Sequence, residues 1–144
     1  MPAIAFHFNV AERSSYLCRL IRKARRSGAR LVVTGERAQL DALDRLLWTF
    51  DPLEFLPHWK GRSTADLPPR LADTPTLLLE QLIPATTPSQ VLVNLREAVP
   101  EGYDRFERVI EIVSRDGPDR AAARDRWRLY AAAGHAIERH EVSA

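Results

Sequence analysis

The hydrophobic and polar positions of this 144-residue chain follow two different periodicities, which together predict an α/β fold. Ala3–Phe8 alternates and is rich in Ile and Phe, which is typical of a strand. Glu12–Gly28 carries its apolar residues at helical spacing and ends in a glycine that suits a helix stop. Arg30–Thr34 is a short buried strand by its pattern, and Arg37–Trp48 is a second helix with its leucines on one side. Strand–helix–strand–helix within the first 48 residues favours a parallel sheet with right-handed crossovers.

The second half of the chain adds further apolar runs of strand length, separated by loop signals. The predicted strands are Thr76–Glu80, Val91–Leu95 and Phe106–Val113, with a turn at Pro84–Ser89 and a polar loop at Lys60–Pro75. A long helical segment closes the chain. We therefore predict a single domain over residues 1–144, built as a Rossmann-like three-layer sandwich with helices flanking a mostly parallel central sheet.

The closing segment Asp116–His140 predicts a long helix with two unlike faces. Pro118 suits the first helical turn, and the Ala and Arg content favours helix. At about 100° per residue, one arc carries mainly apolar residues and is expected to pack on the sheet: Ala122, Ala123, Leu129, Tyr130, Ala133, Ala136 and Ile137, with Arg126 among them. The opposite arc carries Arg120, Arg124, Trp127, Arg128, Ala131 and His135. Because a large aromatic lies among arginines, this arc suits a ligand with a carboxylate and an apolar group. The alternative is a solvated arginine face with an incidental tryptophan.

A second unusual stretch, Trp48–Trp59, concentrates large apolar side chains where regular structure is not expected. Its two prolines preclude a helix or a central strand through it. Trp48 is displaced from the leucine stripe of the second predicted helix, and the apolar residues that follow are Phe50, Leu53, Phe55, Leu56, Pro57 and Trp59. These residues either cover the core or form an exposed apolar patch that binds a protein partner.

Composition and charge argue against several classes of function, among them nucleic-acid binding and membrane insertion. A net charge of +2 and a pI near 9.0 do not by themselves imply nucleic-acid binding. The basic run Arg22–Arg26 is more simply the solvated face of the first helix, because no aromatics interleave with it; we expect no strong direct binding to nucleic acid.

The single Cys18 excludes an intramolecular disulfide and is expected to be buried. Met1–Phe6 lacks signal-peptide features and no apolar run reaches 18 residues, so we expect a cytoplasmic protein without a membrane span.

Motifs for catalysis, cofactor binding or metal binding are missing from the sequence. The first strand–helix junction, His7–Arg13, contains no glycine, whereas a dinucleotide site needs glycines there so that the backbone can approach the pyrophosphate. The four histidines show no metal spacing, and no serine lies in a nucleophile elbow. We predict no catalytic, cofactor-binding or metal-binding residues. The alternative is a nucleotide-binding protein or small enzyme on the same fold.

Two motifs resemble those of the chi subunit family of the bacterial DNA polymerase III clamp-loader complex. The segment Leu40–His58 is similar to the family signature Leu-Asp-x-x-Leu-Trp…Phe-x-Pro-His. It reads Leu-Asp-Ala-Leu-Asp-Arg-Leu-Leu-Trp-Thr-Phe-Asp-Pro-Leu-Glu-Phe-Leu-Pro-His. The closing pattern Arg120-x-x-x-Arg124-x-x-Trp127-x-x-Tyr130-x-x-x-Gly134 is similar to the family's last helix. The resemblance covers essentially the whole chain.

This resemblance implies a non-catalytic adaptor of DNA replication that needs no cofactor. One implied partner is the psi subunit, which ties chi to the clamp loader. The other is the acidic C-terminal tail of the single-stranded-DNA-binding protein, which ends in an aromatic residue and a free carboxylate. The implied tail pocket consists of Val113, Arg120, Arg124, Trp127 and Arg128, where the family usually has a tyrosine in place of Trp127. The implied psi interface consists of Trp48, Phe55, Pro57 and His58.

Overall fold

The computed structural model describes residues 2–83 and 90–142, so the turn predicted at Pro84–Ser89 lies outside the described residues. In chain order the elements are β1 (Ala3–Val10), α1 (Arg13–Ser27), β2 (Leu31–Thr34), α2 (Arg37–Thr49), β3 (His58–Gly61), β4 (Thr76–Leu79), β5 (Val91–Asn94), β6 (Arg108–Ser114), α3 (Gly117–Ala132) and β7 (Ile137–Glu141). Short 3-10 turns occupy Thr64–Asp66, Pro69–Leu71 and Tyr103–Arg105.

The strands form one sheet in the order β3-β4-β2-β5-β6-β1-β7, and every pairing between them is parallel. This confirms the predicted Rossmann-like α/β sandwich, with a sheet that is wholly parallel in the part of the chain described. Strands β2 and β4 are buried along their whole length, because helices or loops cover both faces.

Helices α1 and α2 cover one face of the sheet, and α3 covers the other. On the first face, Leu17 and Ile21 of α1 and Leu40 and Leu43 of α2 pack in one apolar cluster with alternate residues of the central strands. The leucine stripes predicted for these two helices are therefore confirmed. On the second face, Tyr130 of α3 packs with the residues that point the other way from the same strands. The resulting three layers leave the carboxyl ends of the parallel strands at one common edge.

The predicted closing helix is too long, because α3 ends at Ala132 and the following residues form a strand. Gly134 has φ +86°, a left-handed conformation that favours glycine. Its N–H donates to the carbonyl of Ala131 (3.0 Å) and that of His135 donates to the carbonyl of Tyr130 (3.1 Å), which is a Schellman stop. The chain beyond this stop adds β7 to the open edge of β1.

The predicted faces of the closing helix also need correction. The structure buries Ala123, Arg126 and Tyr130, whereas Leu129, which was expected on the sheet, is 59% exposed. Trp127, which was expected on the outward arc, is partly buried, and its ring centroid lies 5.1 Å from that of Phe6. The helix is therefore rotated relative to the prediction.

The segment after α2 contains a strand that the sequence pattern missed. His58–Gly61 forms β3, although this region was predicted to be irregular and the following loop was predicted to begin at Lys60. The strand begins after the two prolines and pairs with β4 alone, at the edge of the sheet. Proline tolerance at and before edge strands explains why the prolines do not prevent it.

Candidate functional site

A cavity of about 520 Å³ lies at the carboxyl edge of the sheet, between α3 and the strands β6, β1 and β7. The connection after β1 leads to α1 on one face, and the connection after the neighbouring β6 leads to α3 on the other. In open α/β sheets such a change of direction leaves a crevice that commonly binds ligands. The cavity opens beside this point, on the α3 side.

The sheet supplies an aromatic floor to this cavity, and α3 and β7 supply its walls. The lining residues are Phe6, Phe8 and Asn9 from β1, Val113 and Ser114 from β6, the adjacent Arg115, then Arg120, Ala123, Arg124 and Trp127 from α3, and Arg139 and Glu141 from β7. The indole of Trp127 packs against the ring of Phe6, so that α3 and the floor form one apolar surface.

The first turn of α3 is held against the end of β6 by two acidic residues. Asp116 caps the helix by accepting a hydrogen bond from the N–H of Asp119 (3.2 Å). The Asp119 carboxylate in turn accepts bonds from the N–H and the hydroxyl of Ser114, both at 2.8 Å, and lies 3.6 Å from Arg13. Pro118 lies in the first turn, as predicted. These bonds position the arginines that follow on the helix.

A buried carboxylate fixes the rotation of α3. Glu111 of β6 is fully buried and accepts bonds from Arg126 Nε (2.9 Å), the Tyr130 hydroxyl (2.7 Å) and the Asn94 amide (3.0 Å). Burial raises the pKa of the Glu111 carboxyl, and the Arg126 guanidinium and the two other donors oppose that shift. The sequence signal for this network was a charged residue within each of two apolar patterns, Glu111 in the strand and Arg126 in the inward arc.

Four arginines surround the cavity, and each lacks a carboxylate partner in the part of the chain that the structure describes. Among the described residues, Arg115, Arg120, Arg124 and Arg139 form no ion pair with an acidic side chain. Arg115 donates from Nε to the side-chain oxygen of Asn9 (3.0 Å), and the guanidinium carbon of Arg139 lies 5.0 Å from the centroid of the Phe8 ring. Positive charge around an aromatic floor fits a ligand that combines carboxylates with an apolar side chain.

The structure brings together four of the five residues predicted for the tail pocket. Val113, Arg120, Arg124 and Trp127 all line the cavity. Arg128 does not: its side chain is 73% exposed and lies 3.0 Å from Asp125 on the outer face of the helix. Sequence reasoning missed the contributions of β1 and β7, since the residues of β7 were assigned to the closing helix.

The second candidate region is an exposed apolar patch formed by Trp48, Leu53 and Phe55, which are 59%, 95% and 63% exposed. The rings of Trp48 and Phe55 lie 5.5 Å apart between centroids, and the Trp48 ring lies 5.0 Å from that of His58. The observed exposure agrees with the expectation that Trp48 leaves the leucine stripe of α2. Leu56, by contrast, is buried in the core.

Two of the predicted interface residues contribute less surface. The His58 side chain is 1% exposed, and its ring nitrogens bond the carbonyl of Leu56 (2.7 Å) and the carboxylate of Asp44 (2.9 Å). Pro57 is half-buried beside it. His58 therefore supports the patch from beneath, by holding the loop to α2.

Carboxylates of the protein itself occupy helix N-termini at which a nucleotide phosphate would bind in a Rossmann-type site. Glu12 accepts bonds from the N–H groups of Ser14 (3.0 Å) and Ser15 (2.9 Å) at the start of α1, and Asp116 caps α3. The hydroxyl of Ser15 and these N–H groups lower the pKa of Glu12. Within residues 2–83 and 90–142, no group of three or more metal-ligating side chains converges.

Cys18 is buried, as predicted, and burial raises the pKa of its thiol to about 11. None of the helices in the described part of the chain combines the length and the apolar character needed to cross a membrane.

Comparisons with known proteins agree with the resemblance found in the sequence motifs. A family model described as "DNA polymerase III chi subunit, HolC" matches residues 1–138. DNA polymerase III subunit chi of Pseudomonas aeruginosa is 32% identical over 126 residues, which cover 87% of this chain and 83% of that protein. DNA polymerase III subunit chi of Haemophilus influenzae is 28% identical over 112 residues, which cover 77% of this chain and 74% of that protein. The chain therefore belongs to the family of DNA polymerase III chi subunits.

Proposed function

We propose that this protein is a non-catalytic, cytoplasmic adaptor in DNA replication, which links the clamp loader of DNA polymerase III to the single-stranded-DNA-binding protein. The observation that supports this role most directly is the cavity with its aromatic floor and four arginines that have no carboxylate partner within residues 2–83 and 90–142. Such a site is suited to an acidic peptide end, because guanidinium groups bind carboxylates and the aromatic rings pack an apolar side chain.

In this proposal the cavity binds the acidic C-terminal tail of the single-stranded-DNA-binding protein. Arg120 and Arg124 lie one turn apart on α3, where their guanidinium forks bind the terminal carboxylate. The terminal aromatic side chain lies on the floor, against Trp127 and Phe8, with Val113 beneath. The tryptophan offers a larger stacking surface than the usual tyrosine of the family but no phenolic hydroxyl.

The apolar patch of Trp48, Leu53 and Phe55 binds the psi subunit in this proposal, with Pro57 and His58 at its border. Exposed aromatic side chains in contact with each other are typical anchors of protein–protein interfaces. The two acids of the segment that forms the patch are already paired, since Asp51 lies 3.2 Å from Arg22 and Glu54 lies 3.0 Å from Arg26. An apolar segment of psi is therefore the favoured ligand for this surface.

Calorimetry with a synthetic acidic tail peptide that ends in phenylalanine tests the cavity. Arg124→Ala should weaken binding by roughly 1.5–3 kcal/mol, the range for hydrogen bonds to a charged group. Arg128→Ala is the matched control, because it removes the same charge from the same helix outside the cavity. Equal peptide affinity of the Arg124→Ala variant and the unmodified protein would contradict the tail-binding role.

A pull-down with psi tests the patch. Phe55→Ala should reduce psi capture and leave tail-peptide binding unchanged, because Phe55 does not line the cavity. Leu129→Ala removes another large exposed apolar side chain from a different surface and serves as the control. If Phe55→Ala recovers as much psi as the unmodified protein, Phe55 does not belong to the interface.

The alternative, a nucleotide-binding protein on the same fold, makes a different prediction. Saturation-transfer NMR against a panel of nucleotides should give no specific signal, because the first junction lacks glycine and Glu12 occupies the start of α1. A specific, saturable signal would favour the alternative over the adaptor role.

A further inference from the structure

The two edges of the sheet differ in how they are protected against pairing with another strand. Strand β7 exposes charged or titratable side chains toward both faces of the sheet, namely Glu138, Arg139, His140 and Glu141. Such side chains are a common protection of an open edge. The exposed residue of β3, at the other edge, is Lys60, and its ammonium lies 2.6 Å from the carboxylate of Asp41 on α2. The one charge that could protect this edge is therefore held against α2.

The backbone of β3 has an open side, because β3 pairs with β4 alone. The carbonyl of Gly61 accepts a bond from the N–H of Glu80 (3.2 Å), so the polar backbone groups of Gly61 point toward β4. These groups alternate in direction from one residue of a strand to the next. The N–H and the carbonyl of Lys60 therefore point away from β4, where an added strand could bind them.

Aromatic side chains lie on both faces of this open edge. On the α2 side, the ring of Trp48 lies 5.0 Å from that of His58, the first residue of β3, and 5.5 Å from that of Phe55. On the opposite face, the half-buried indole of Trp59 covers Gly61, at which a Cβ atom would collide with the ring. Because successive side chains of an extended segment point to opposite faces, such a segment at this edge meets an aromatic surface on each face.

We propose that psi adds a β-strand to the open edge of β3; this inference rests on the psi-binding role proposed above for the patch of Trp48, Leu53 and Phe55. The patch and the edge are continuous, because the segment that carries the patch leads directly into β3 at His58. Backbone hydrogen bonds to Lys60 then supply affinity, and the aromatic surfaces on the two faces select the side chains.

The charges beside this edge indicate the character of the added strand. The carboxylate of Asp41 is paired with Lys60, and that of Asp44 accepts a bond from the ring of His58 (2.9 Å). Since both acids have partners, a basic segment gains little from them. The edge therefore favours a segment of psi with apolar side chains at alternate positions.

Two substitutions at one position separate the backbone of the edge from its side chain. Lys60→Pro removes the N–H and places a ring at the open edge, whereas Lys60→Ala removes the same side chain and keeps the N–H. Proline is tolerated in an edge strand where its nitrogen faces outward, so both variants should fold, which urea denaturation checks. In calorimetry with purified psi, Lys60→Pro should lower the affinity at least about tenfold and Lys60→Ala less than about threefold, because only proline blocks the added strand.

Amide exchange followed by NMR gives a second measurement, on the unmodified protein. The N–H of Lys60 should exchange at least about tenfold more slowly when psi is bound, and that of Arg139 on the other edge strand should not change. Equal psi affinity of the two Lys60 variants, or unchanged exchange at Lys60, would overturn the added strand; a loss of psi binding by Phe55→Ala would still support the patch. If the unmodified protein does not bind psi, the psi-binding role fails and the added strand fails with it.

Discussion

The cavity and the apolar patch differ in how the chain builds them. The patch comes from one continuous segment, Trp48–His58, which connects α2 to the edge strand β3. The cavity combines residues from β1, β6, α3 and β7, which span most of the chain from Phe6 to Glu141. A convex apolar surface can be made locally, whereas a concave charged site needs distant elements to meet.

The two regions also differ in how their charges are used. Beside the patch, two acids are paired with bases, Asp51 with Arg22 (3.2 Å) and Glu54 with Arg26 (3.0 Å). Around the cavity, the arginines have no acidic partners in the described part of the chain, and Glu141 is the one acidic residue in the lining. The patch is thus suited to binding by apolar burial, and the cavity to binding by charge and stacking together.

The largest effect is expected from breaking the buried pair that sets the cavity wall. Arg126→Met should lower the free energy of unfolding by about 3–5 kcal/mol, because it leaves the Glu111 carboxylate buried without its cation. Urea denaturation measures the loss. Arg128→Met on the outer face should change stability by about 0.5 kcal/mol or less. Similar stabilities of the two variants would show that the buried pair does not hold α3.

The strand that floors the cavity also carries a pH-dependent group, His7, whose ring bonds the Tyr16 hydroxyl on the opposite face. Burial, then the charges of His140 and Arg108, lower the pKa of His7 from 6.5 to about 4. The pKa of His7 is lower in the folded state than in the unfolded state. The contribution of His7 to stability is therefore complete above pH 6.5 and is lost as the pH falls toward 4. At pH 5 we expect a loss of about 1–2 kcal/mol, allowing for partial exposure.

Urea unfolding at pH 7.5 and pH 5.0 measures this loss. His7→Gln should reduce the difference between the two pH values, since the titrating ring is gone. An unchanged difference would assign the acid sensitivity to other groups.

Salt should separate the two binding regions. Raising the ionic strength from about 0.05 to 0.5 M should weaken tail-peptide binding by about 1 kcal/mol, because salt shortens the Debye length, beyond which exposed charges no longer attract each other appreciably. Psi binding to the patch should change much less, since apolar burial carries it. Calorimetry with both ligands under both conditions makes the comparison. Equal salt dependence would contradict the assignment of charge to one region and apolar burial to the other.

The smallest effect is expected from the acid in the cavity lining. Glu141→Gln removes a negative charge beside the arginines and should strengthen peptide binding by about 0.5 kcal/mol, the usual size for an exposed charge interaction. Glu138→Gln is the control, since Glu138 lies three residues away on the same strand and does not line the cavity. Weaker binding by Glu141→Gln would mean that Glu141 holds an arginine in place rather than repelling the ligand.

Much of the patch could be predicted because its determinants are local. Trp48 leaves the stripe of α2 by its angular position alone, and the prolines that follow keep the segment irregular up to His58. Only part of the cavity could be predicted in the same way. The helical spacing of Arg120 and Arg124 predicts that both lie on one face of α3. The position of Arg139 could not be predicted, because the Ala-rich pattern predicts a helix where the chain forms β7.

The sequence by itself determined the α/β order, the start of α3 directly after Asp116, the lack of glycine in the first junction, and the family, because each depends on neighbouring residues or on a continuous motif. Only the tertiary structure decided how α3 is rotated and what completes the cavity. The rotation depends on Glu111, which is fifteen residues from Arg126 in sequence but 2.9 Å away in space. The second wall depends on the open edge of β1, which accepts β7 after the glycine stop. Such pairings are contacts between distant segments, and local periodicity carries no information about which segment is near.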